Sequence, residues 1–102
     1  MREREKGDSS RRFRIFETRQ FSADLARLGA AATRRIENKL RNYVYPILRE
    51  NPFFGSNIKR LKNWEPPAWR YRVGDWRFFY EIDEEQNIVF MIAADHRKQA
   101  CR

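Results

Sequence analysis

The sequence predicts an α+β domain: an N-terminal strand, an α-helical hairpin and then a four-stranded antiparallel meander that completes one sheet. Apolar residues recur at helical spacing in the first half of the chain and at every second position in the last half. Glycine and proline mark the changes between these patterns. A chain of 102 residues has the size of one domain. We expect that domain over residues 12–102, after a flexible basic tail at residues 1–11.

The first strand is predicted over Arg12–Glu17, where β-favouring side chains alternate between two faces until Phe16 interrupts the pattern. A short helix is expected next, over Ala23–Leu28. Ser22 precedes it and should cap its N-terminus, because a serine hydroxyl there accepts a hydrogen bond from a free backbone amide. Gly29 should end the helix at a C-terminal cap position.

A second helix is predicted from about Ala30 to Asn51, where Pro52 follows. Pro46 lacks an amide proton, so it should kink this helix or separate its last turn. The apolar face that the two helices share is expected to include Ile36, Leu40, Tyr43, Val44, Ile47 and Leu48. The opposite side should be solvated, and it carries Arg34, Arg35, Glu37, Lys39 and Arg41.

Four strands in a meander are predicted beyond Asn57, because the apolar residues there alternate. Gly74 and Asp75 form a two-residue connection, and a glycine at its first position suits a type II′ hairpin turn. The last strand is the most apolar and should be central in the sheet. The expected bounds of the four strands are Ile58–Lys62, Ala68–Val73, Trp76–Ile82 and Ile88–Ala94.

The register of this hairpin predicts a basic surface that we call the arginine face. Residues that pair across two strands share a face, so Arg72 should lie opposite Arg77. The arginine face is expected to carry Arg70, Arg72, Arg77, Phe79 and Glu81. The other face is apolar and should pack on the helices through Trp69, Tyr71, Val73, Trp76, Phe78 and Tyr80.

Two like charges opposite each other destabilise a sheet, but a bound phosphate reverses the sign because guanidinium groups bind it in a planar, bidentate geometry. The arginine face is therefore a candidate anion site, and the alternative is a solvated basic strand partly neutralised by Glu81. The segment Asp95–Lys98 follows the last strand and should approach the same face. His96 is the one histidine, a residue type suited to proton transfer near neutral pH; the alternative is an ordinary surface histidine.

Composition excludes several classes of function. Aromatic residues make up 15% of the chain, which excludes a disordered polyelectrolyte, and no apolar run is long enough to span a membrane. One cysteine, Cys101, and one histidine cannot form a zinc site, so neither a metal nor a cofactor is expected. Charges occupy the start, where an export signal needs an apolar run, so we expect a cytoplasmic protein. The net charge of +8 favours a nucleic acid or an acidic protein as partner.

The hairpin and the last strand resemble a known superfamily. The sequences YRVGDWRFFYEID at Tyr71–Asp83 and IVFMIAADHRKQ at Ile88–Gln99 are similar to the C-terminal half of RelE/ParE toxins. This resemblance implies a toxin of a type II toxin–antitoxin system, whose partner is an acidic antitoxin encoded by the neighbouring gene. RelE-like members cut mRNA in the ribosomal A site by attack of a 2′-OH on the adjacent phosphate. ParE-like members share the fold but poison DNA gyrase without cutting RNA.

The resemblance, the hairpin register and the basic residues nearby together predict a set of site residues. The expected catalytic residues are Arg70, Arg72, Arg77, His96 and Arg97. The expected RNA-binding residues are Arg60, Lys62, Phe79 and Lys98. No metal ligand is expected among them.

Two departures from the RelE pattern keep alternatives open. Arg72 stands where RelE has a lysine near the nucleophile, and an arginine is a poor general base because it does not lose its proton. Cys101 stands where many relatives have a tyrosine that helps at the cleavage site. A metal-independent mRNA endonuclease that inhibits translation is the favoured hypothesis. The alternatives are a gyrase inhibitor without nuclease activity and an inactive relative that only binds its antitoxin.

Overall fold

The computed structural model describes residues 12–97, in which an α-helical hairpin packs on one side of a five-stranded sheet. The tail expected at residues 1–11 and the candidate residue Lys98 lie outside the described residues. The strands are β1 (Arg14–Glu17), β2 (Ile58–Arg60), β3 (Trp69–Val73), β4 (Trp76–Asp83) and β5 (Ile88–His96). The helices are α1 (Arg19–Ala26), α2 (Ala30–Lys39) and α3 (Tyr45–Glu50), with a π-helical turn (Leu40–Val44) between the last two.

The predicted meander is confirmed, and the sheet has the order β1-β5-β4-β3-β2. The four later strands are antiparallel to one another, while β1 pairs with β5 in parallel. The last strand is therefore an interior strand, with β1 on one side and β4 on the other. Pairing between β4 and β5 shifts register between Phe79 and Tyr80, where β5 has one extra residue.

The core lies between the helices and the apolar face of the sheet. Phe21 and Leu25 of α1 are buried against this face. Phe78 and Tyr80 of β4 belong to the face and are also buried. Tyr80 also donates a hydrogen bond of 2.8 Å to the backbone oxygen of Pro52, which fixes the chain leaving α3. The sheet thus buries one face in the core, and the arginine face is left without a covering layer of described helices.

The first helix begins earlier than expected, and its predicted cap is wrong. Thr18, not Ser22, is the N-cap: its hydroxyl oxygen accepts the amide of Phe21 at 3.3 Å and donates to the oxygen of Met91 at 2.8 Å. Ser22 is exposed inside α1. Thr18 prevails because its hydroxyl serves both the helix end and a backbone acceptor of β5.

The second helix changes its geometry ahead of Pro46, as predicted. The π-helical turn Leu40–Val44 separates α2 from α3, and a wider turn leaves room for the proline ring, which has no amide to donate. The predicted apolar face is wrong at two positions, because Tyr43 is 63% exposed and Ile47 is 45% exposed. Tyr45 is buried instead, since the wide turn rotates the following residues, and its hydroxyl donates to Glu17 at 2.5 Å.

Two strand boundaries also differ from expectation. β2 ends at Arg60, so Lys62 lies in a turn after the strand. β5 continues to His96, so Asp95 and His96 belong to the strand and not to a tail beyond it. No helix within residues 12–97 is long and apolar enough to cross a membrane.

Candidate anion-binding site on the arginine face

The arginine face is organised in rows that run across the sheet. In one row Arg72 of β3 lies directly opposite Arg77 of β4, and Arg77 lies opposite Asp95 of β5. This register between β3 and β4 confirms the pairing predicted from the Gly74-Asp75 turn, in which Gly74 has a φ of 55°. Partners in register share a face, so three charged side chains meet in one row.

A second row lies next to the first, away from the turn. Arg70 of β3 pairs with Phe79 of β4 on one side and with Lys59 of β2 on the other. Arg70 is half-buried, and its Nε is buried without a hydrogen-bond partner among residues 12–97. Lys59 was not among the predicted site residues. The alternation of side chains along β2 indicates its position, because Lys59 follows the apolar Ile58 and so lies on the other side of the sheet. The two rows together bring Arg70, Arg77 and Lys59 close to the exposed Arg72. The half-buried ring of Phe79 lies among them.

Asp95 changes the charge balance of this face. Its Oδ2 accepts a hydrogen bond from a terminal nitrogen of Arg77, and the two side chains are 32% and 41% exposed. Arg77 is therefore held by a carboxylate, whereas Arg72 is exposed. Sequence reasoning assigned the neutralising role to Glu81, which lies four residues further along β4. It expected Asp95 to approach this face but gave it no role, because the end of β5 was predicted one residue before it.

Two aromatic side chains meet at the opposite end of the face. Phe16 of β1 and Phe90 of β5 are in register and make an edge-to-face contact with ring centroids 5.7 Å apart. Phe16 is 56% exposed. Phe16 shares its side of the sheet with Arg14, so it is an exposed apolar residue on the polar side of β1, as its interruption of the pattern predicts.

His96 lies on the other side of the sheet. It pairs in register with Trp76, a residue of the core face, and its ring makes an edge-to-face contact with the indole at 4.9 Å. Both side chains line an open pocket of about 520 Å³ between the sheet and the helices, together with Arg35 and Lys39. The structure therefore does not bring His96 to the arginines, contrary to expectation.

The remaining predicted residues are dispersed around the sheet. Arg97 lies beside the hairpin turn. Its amide donates a hydrogen bond of 2.9 Å to the backbone oxygen of Asp75, and its guanidinium is 3.8 Å from the side-chain carboxylate of Asp75. The guanidinium of Arg60 lies 5.6 Å from the ring centroid of Trp69, on the core side of the sheet. Lys62 lines a loop pocket with residues 60–65.

Neither a metal site nor a titrating tyrosine contributes to the arginine face. Within residues 12–97 no group of three or more His, Cys, Asp or Glu side chains could hold a metal ion. Burial raises the pKa of Tyr45 well above its usual value, and the hydrogen bond to Glu17 raises it further. Burial likewise raises the pKa of Tyr80. Both tyrosines belong to the core and remain protonated at neutral pH.

Solved structures share this fold. The toxin–antitoxin complex RelBE2 from Mycobacterium tuberculosis contains a chain 25% identical to this one, with a TM-score of 0.68 over 88% of this chain and 97% of that one. The archaeal RelE–RelB complex from Pyrococcus horikoshii OT3 matches at 20% identity and a TM-score of 0.61, over 83% and 94% of the two chains. A mutant of the E. coli toxin RelE in the free state matches at 16% identity and a TM-score of 0.60, over 87% of each chain.

Sequence comparison identifies the family. No curated protein sequence matches the chain significantly. The family model of the ParE toxin of type II toxin–antitoxin systems, parDE, matches residues 15–101, which is most of the chain. With the RelE toxins as structural neighbours, the protein lies within the RelE/ParE superfamily. The chain belongs to the family of ParE toxins of type II toxin–antitoxin systems.

Proposed function

We propose that this toxin inhibits translation by cleaving ribosome-bound mRNA without a metal ion, with the arginine face as its active surface. The observation that carries the proposal is the pairing of Arg72 with Arg77 on a sheet face that no described helix covers. Such a pair costs the fold some tenths of a kcal/mol. An RNA phosphate placed between the two guanidinium groups turns that repulsion into two charge-assisted contacts.

The chemistry of RNA cleavage fits these residues. Attack of a 2′-OH on the adjacent phosphate builds up negative charge on the phosphate oxygens in the transition state. Preorganised cations that point at this charge are the largest single contribution to such catalysis. Arg70 and Lys59 in the adjacent row supply further cations along the RNA backbone, and Phe79 offers a ring on which a base can stack.

The partner that controls the toxin is proposed to be an acidic antitoxin. The similar structures from M. tuberculosis and P. horikoshii are toxin–antitoxin complexes. The net charge of +8 on this chain favours an acidic protein segment. An antitoxin that places carboxylates on Arg72 and Arg70 would block the anion site directly.

The test is mRNA cleavage in a purified translation system. Intact toxin should cut mRNA on the ribosome, and Arg72→Gln should abolish cutting, whereas Arg41→Gln on the exposed helix side should not. A chelator selective for zinc and other transition metals, which leaves Mg²⁺ to the ribosome, should have no effect. Loss of cleavage with that chelator, or full activity of Arg72→Gln, contradicts the proposal.

Gyrase inhibition is the second candidate, and a specific observation favours it. The family model that matches the chain is that of ParE, and ParE-like toxins act on gyrase without cutting RNA. His96, the candidate for proton transfer, lies across the sheet from the arginines. A supercoiling assay with purified gyrase, run beside the translation assay, separates the two functions, since inhibition of supercoiling without any mRNA cleavage selects this candidate.

A further inference from the structure

We propose that Asp95 is the general base of the cleavage reaction, the carboxylate that accepts the proton of the attacking 2′-OH. This inference rests on the proposed mRNA cleavage. The position of Asp95 supports this inference, because Asp95 lies in the same cross-strand row as Arg72 and Arg77 and on the same face of the sheet. The end of β5 was expected to leave the sheet, and its position within the strand is what brings this carboxylate to the anion site.

The other candidates for a proton acceptor lie too far from the paired arginines. A guanidinium does not lose its proton in a protein, so Arg72 and Arg77 supply charge but no base. Glu81 shares the face but lies four residues along β4 from Arg77, roughly 13 Å at the usual rise of a strand. His96 contacts Trp76 on the core side. Among the residues that the structure describes, Asp95 is the carboxylate that lies in register with the pair.

The geometry of RNA matches the spacing of the row. Neighbouring strands are about 4.8 Å apart, so Asp95 lies one strand from Arg77 and two strands from Arg72. Within a ribonucleotide the 2′-OH and the phosphate that it attacks are attached to adjacent carbons of one sugar. A phosphate held between Arg72 and Arg77 therefore places its 2′-OH within reach of the next strand. Arg77 bonds Oδ2 of Asp95, and 32% of the side chain remains exposed to a substrate.

The proposed step conserves atoms and charge. The 2′-OH gives its proton to the carboxylate of Asp95, and the oxygen electron pair forms a new bond to phosphorus. The bond between phosphorus and the 5′ oxygen breaks, and that oxygen leaves with the electron pair and takes a proton from water. Asp95 then returns its proton to the hydroxide so formed. The products are a 2′,3′-cyclic phosphate and a 5′-hydroxyl end.

Several charged groups surround this carboxylate. Arg77 faces it from β4, with Arg72 behind it on β3, and Arg97 follows two residues later in the chain. From the helix side, Asp24 of α1 accepts the amide of the neighbouring Ala94. A carboxylate that acts as a general base must be ionised to accept a proton, so cleavage by such a base should slow in acidic solution.

The test compares Asp95→Asn with Glu37→Gln, which removes a negative charge from the exposed side of α2, away from the arginine face. Cleavage of ribosome-bound mRNA is measured over a range of pH, and binding is measured with the same mRNA carrying a 2′-O-methyl group at the cut site, which cannot react. Asp95→Asn should slow cleavage by about 100-fold or more and remove the acidic fall in rate, with unchanged or tighter binding. Glu37→Gln should keep both the rate and the pH profile.

The contrary outcomes are distinct. If the unchanged toxin cuts mRNA and Asp95→Asn cuts it equally well, the inference is overturned and the proposed function stands. If Asp95→Asn weakens binding as much as cleavage and keeps the pH profile, Asp95 only positions Arg77 and is not the base. If the unchanged toxin cuts no mRNA, both proposals fail together. Should Asp95→Asn not fold, the unchanged toxin still decides, because a rate without any acidic fall contradicts a carboxylate base.

Discussion

The amide of Ala94 in β5 donates a hydrogen bond of 2.9 Å to Oδ2 of Asp24 in helix α1. Asp24 is buried, with 6% of its surface exposed, and its other oxygen accepts from Gln20 at 2.7 Å. β1 pairs with β5 only as far as Met91, so the helix carboxylate satisfies a backbone donor beyond the end of β1. A side chain of the first helix therefore holds the strand segment that carries Asp95.

Replacing Asp24 should destabilise the fold. Asp24→Ala leaves the amide of Ala94 buried without an acceptor and removes a charge-assisted hydrogen bond, which costs about 2–3 kcal/mol of the free energy of unfolding. Urea unfolding of the purified protein measures the loss. The matched control is Ala23→Ser, an exposed position of the same helix, which should change stability by less than about 0.5 kcal/mol.

The two candidate caps of α1 should behave differently. Thr18→Ala removes the acceptor for the helix amide and the bond to Met91, and we expect a loss of about 1–2 kcal/mol in stability. Ser22→Ala at an exposed helix position should be neutral or slightly stabilising, because alanine has the higher helix propensity. Equal melting temperatures for the two variants would show that Thr18 does not cap this helix.

The paired arginines should matter for toxicity. In the proposed cleavage reaction, Arg72→Gln and Arg77→Gln would each remove a phosphate contact in the transition state, worth roughly 2–4 kcal/mol or about 30- to 1000-fold in rate. Both variants should therefore fail to arrest bacterial growth when they are expressed without antitoxin. The control variant Arg34→Gln should arrest growth as fully as the unchanged toxin does.

Thermal melting should separate the same two variants. Arg72→Gln relieves a like-charged pair and should melt no lower than the unchanged toxin. Arg77→Gln leaves Asp95 without its cation, so it should melt slightly lower. A lower melting temperature for Arg72→Gln than for Arg77→Gln is the result that would contradict this assignment.

Binding to single-stranded RNA should depend on salt through these arginines. Each phosphate neutralised contributes about 0.7 to the slope of log affinity against log salt concentration. Arg72→Gln should lower that slope by about 0.7, whereas Arg41→Gln should leave it unchanged. Fluorescence titration of a short oligonucleotide at several salt concentrations measures both. Identical slopes for the two variants would place the RNA away from the arginine face.

Stability should fall in alkaline solution. The pKa values of Tyr45 and Tyr80 are raised in the folded protein, so the folded state keeps protons that the unfolded state loses above its ordinary tyrosine pKa of about 10. Their contribution is complete below about pH 10 and decreases as the pH rises further. Urea unfolding between pH 8 and pH 11 should show a smaller decrease in the free energy of unfolding for Tyr45→Phe than for Tyr43→Phe. Tyr43 is the control because its side chain is exposed.

The features of the fold that depend on neighbouring residues could be predicted from the sequence. Gly74 fixes a two-residue turn, and that turn fixes which residues pair, so the partnership of Arg72 with Arg77 follows from adjacent residues alone. The parallel pairing of β1 with β5 joins segments about 70 residues apart and has no local signal. Asp95 was expected near the arginine face only as part of a tail, because two charged residues after an apolar run have the composition of a strand end.

The position of His96 shows a second limitation. One residue of strand decides on which side a side chain lies, so extending β5 beyond Ala94 moved His96 to the core side and Asp95 to the arginine side. The exposed Tyr43 and Ile47 show the same sensitivity in the helix, since the π-helical turn shifts the face that an ideal helix would present.

The parallel pairing of the first and last strands also affects when the arginine face can form during synthesis. β1 leaves the ribosome early, yet its strand partner β5 is translated last, and β5 contributes the Asp95 end of the arginine row. An unfinished chain that stops before Ile88 lacks the interior strand that joins β1 to β4. A nascent chain is therefore unable to assemble the complete arginine face until β5 has been synthesised.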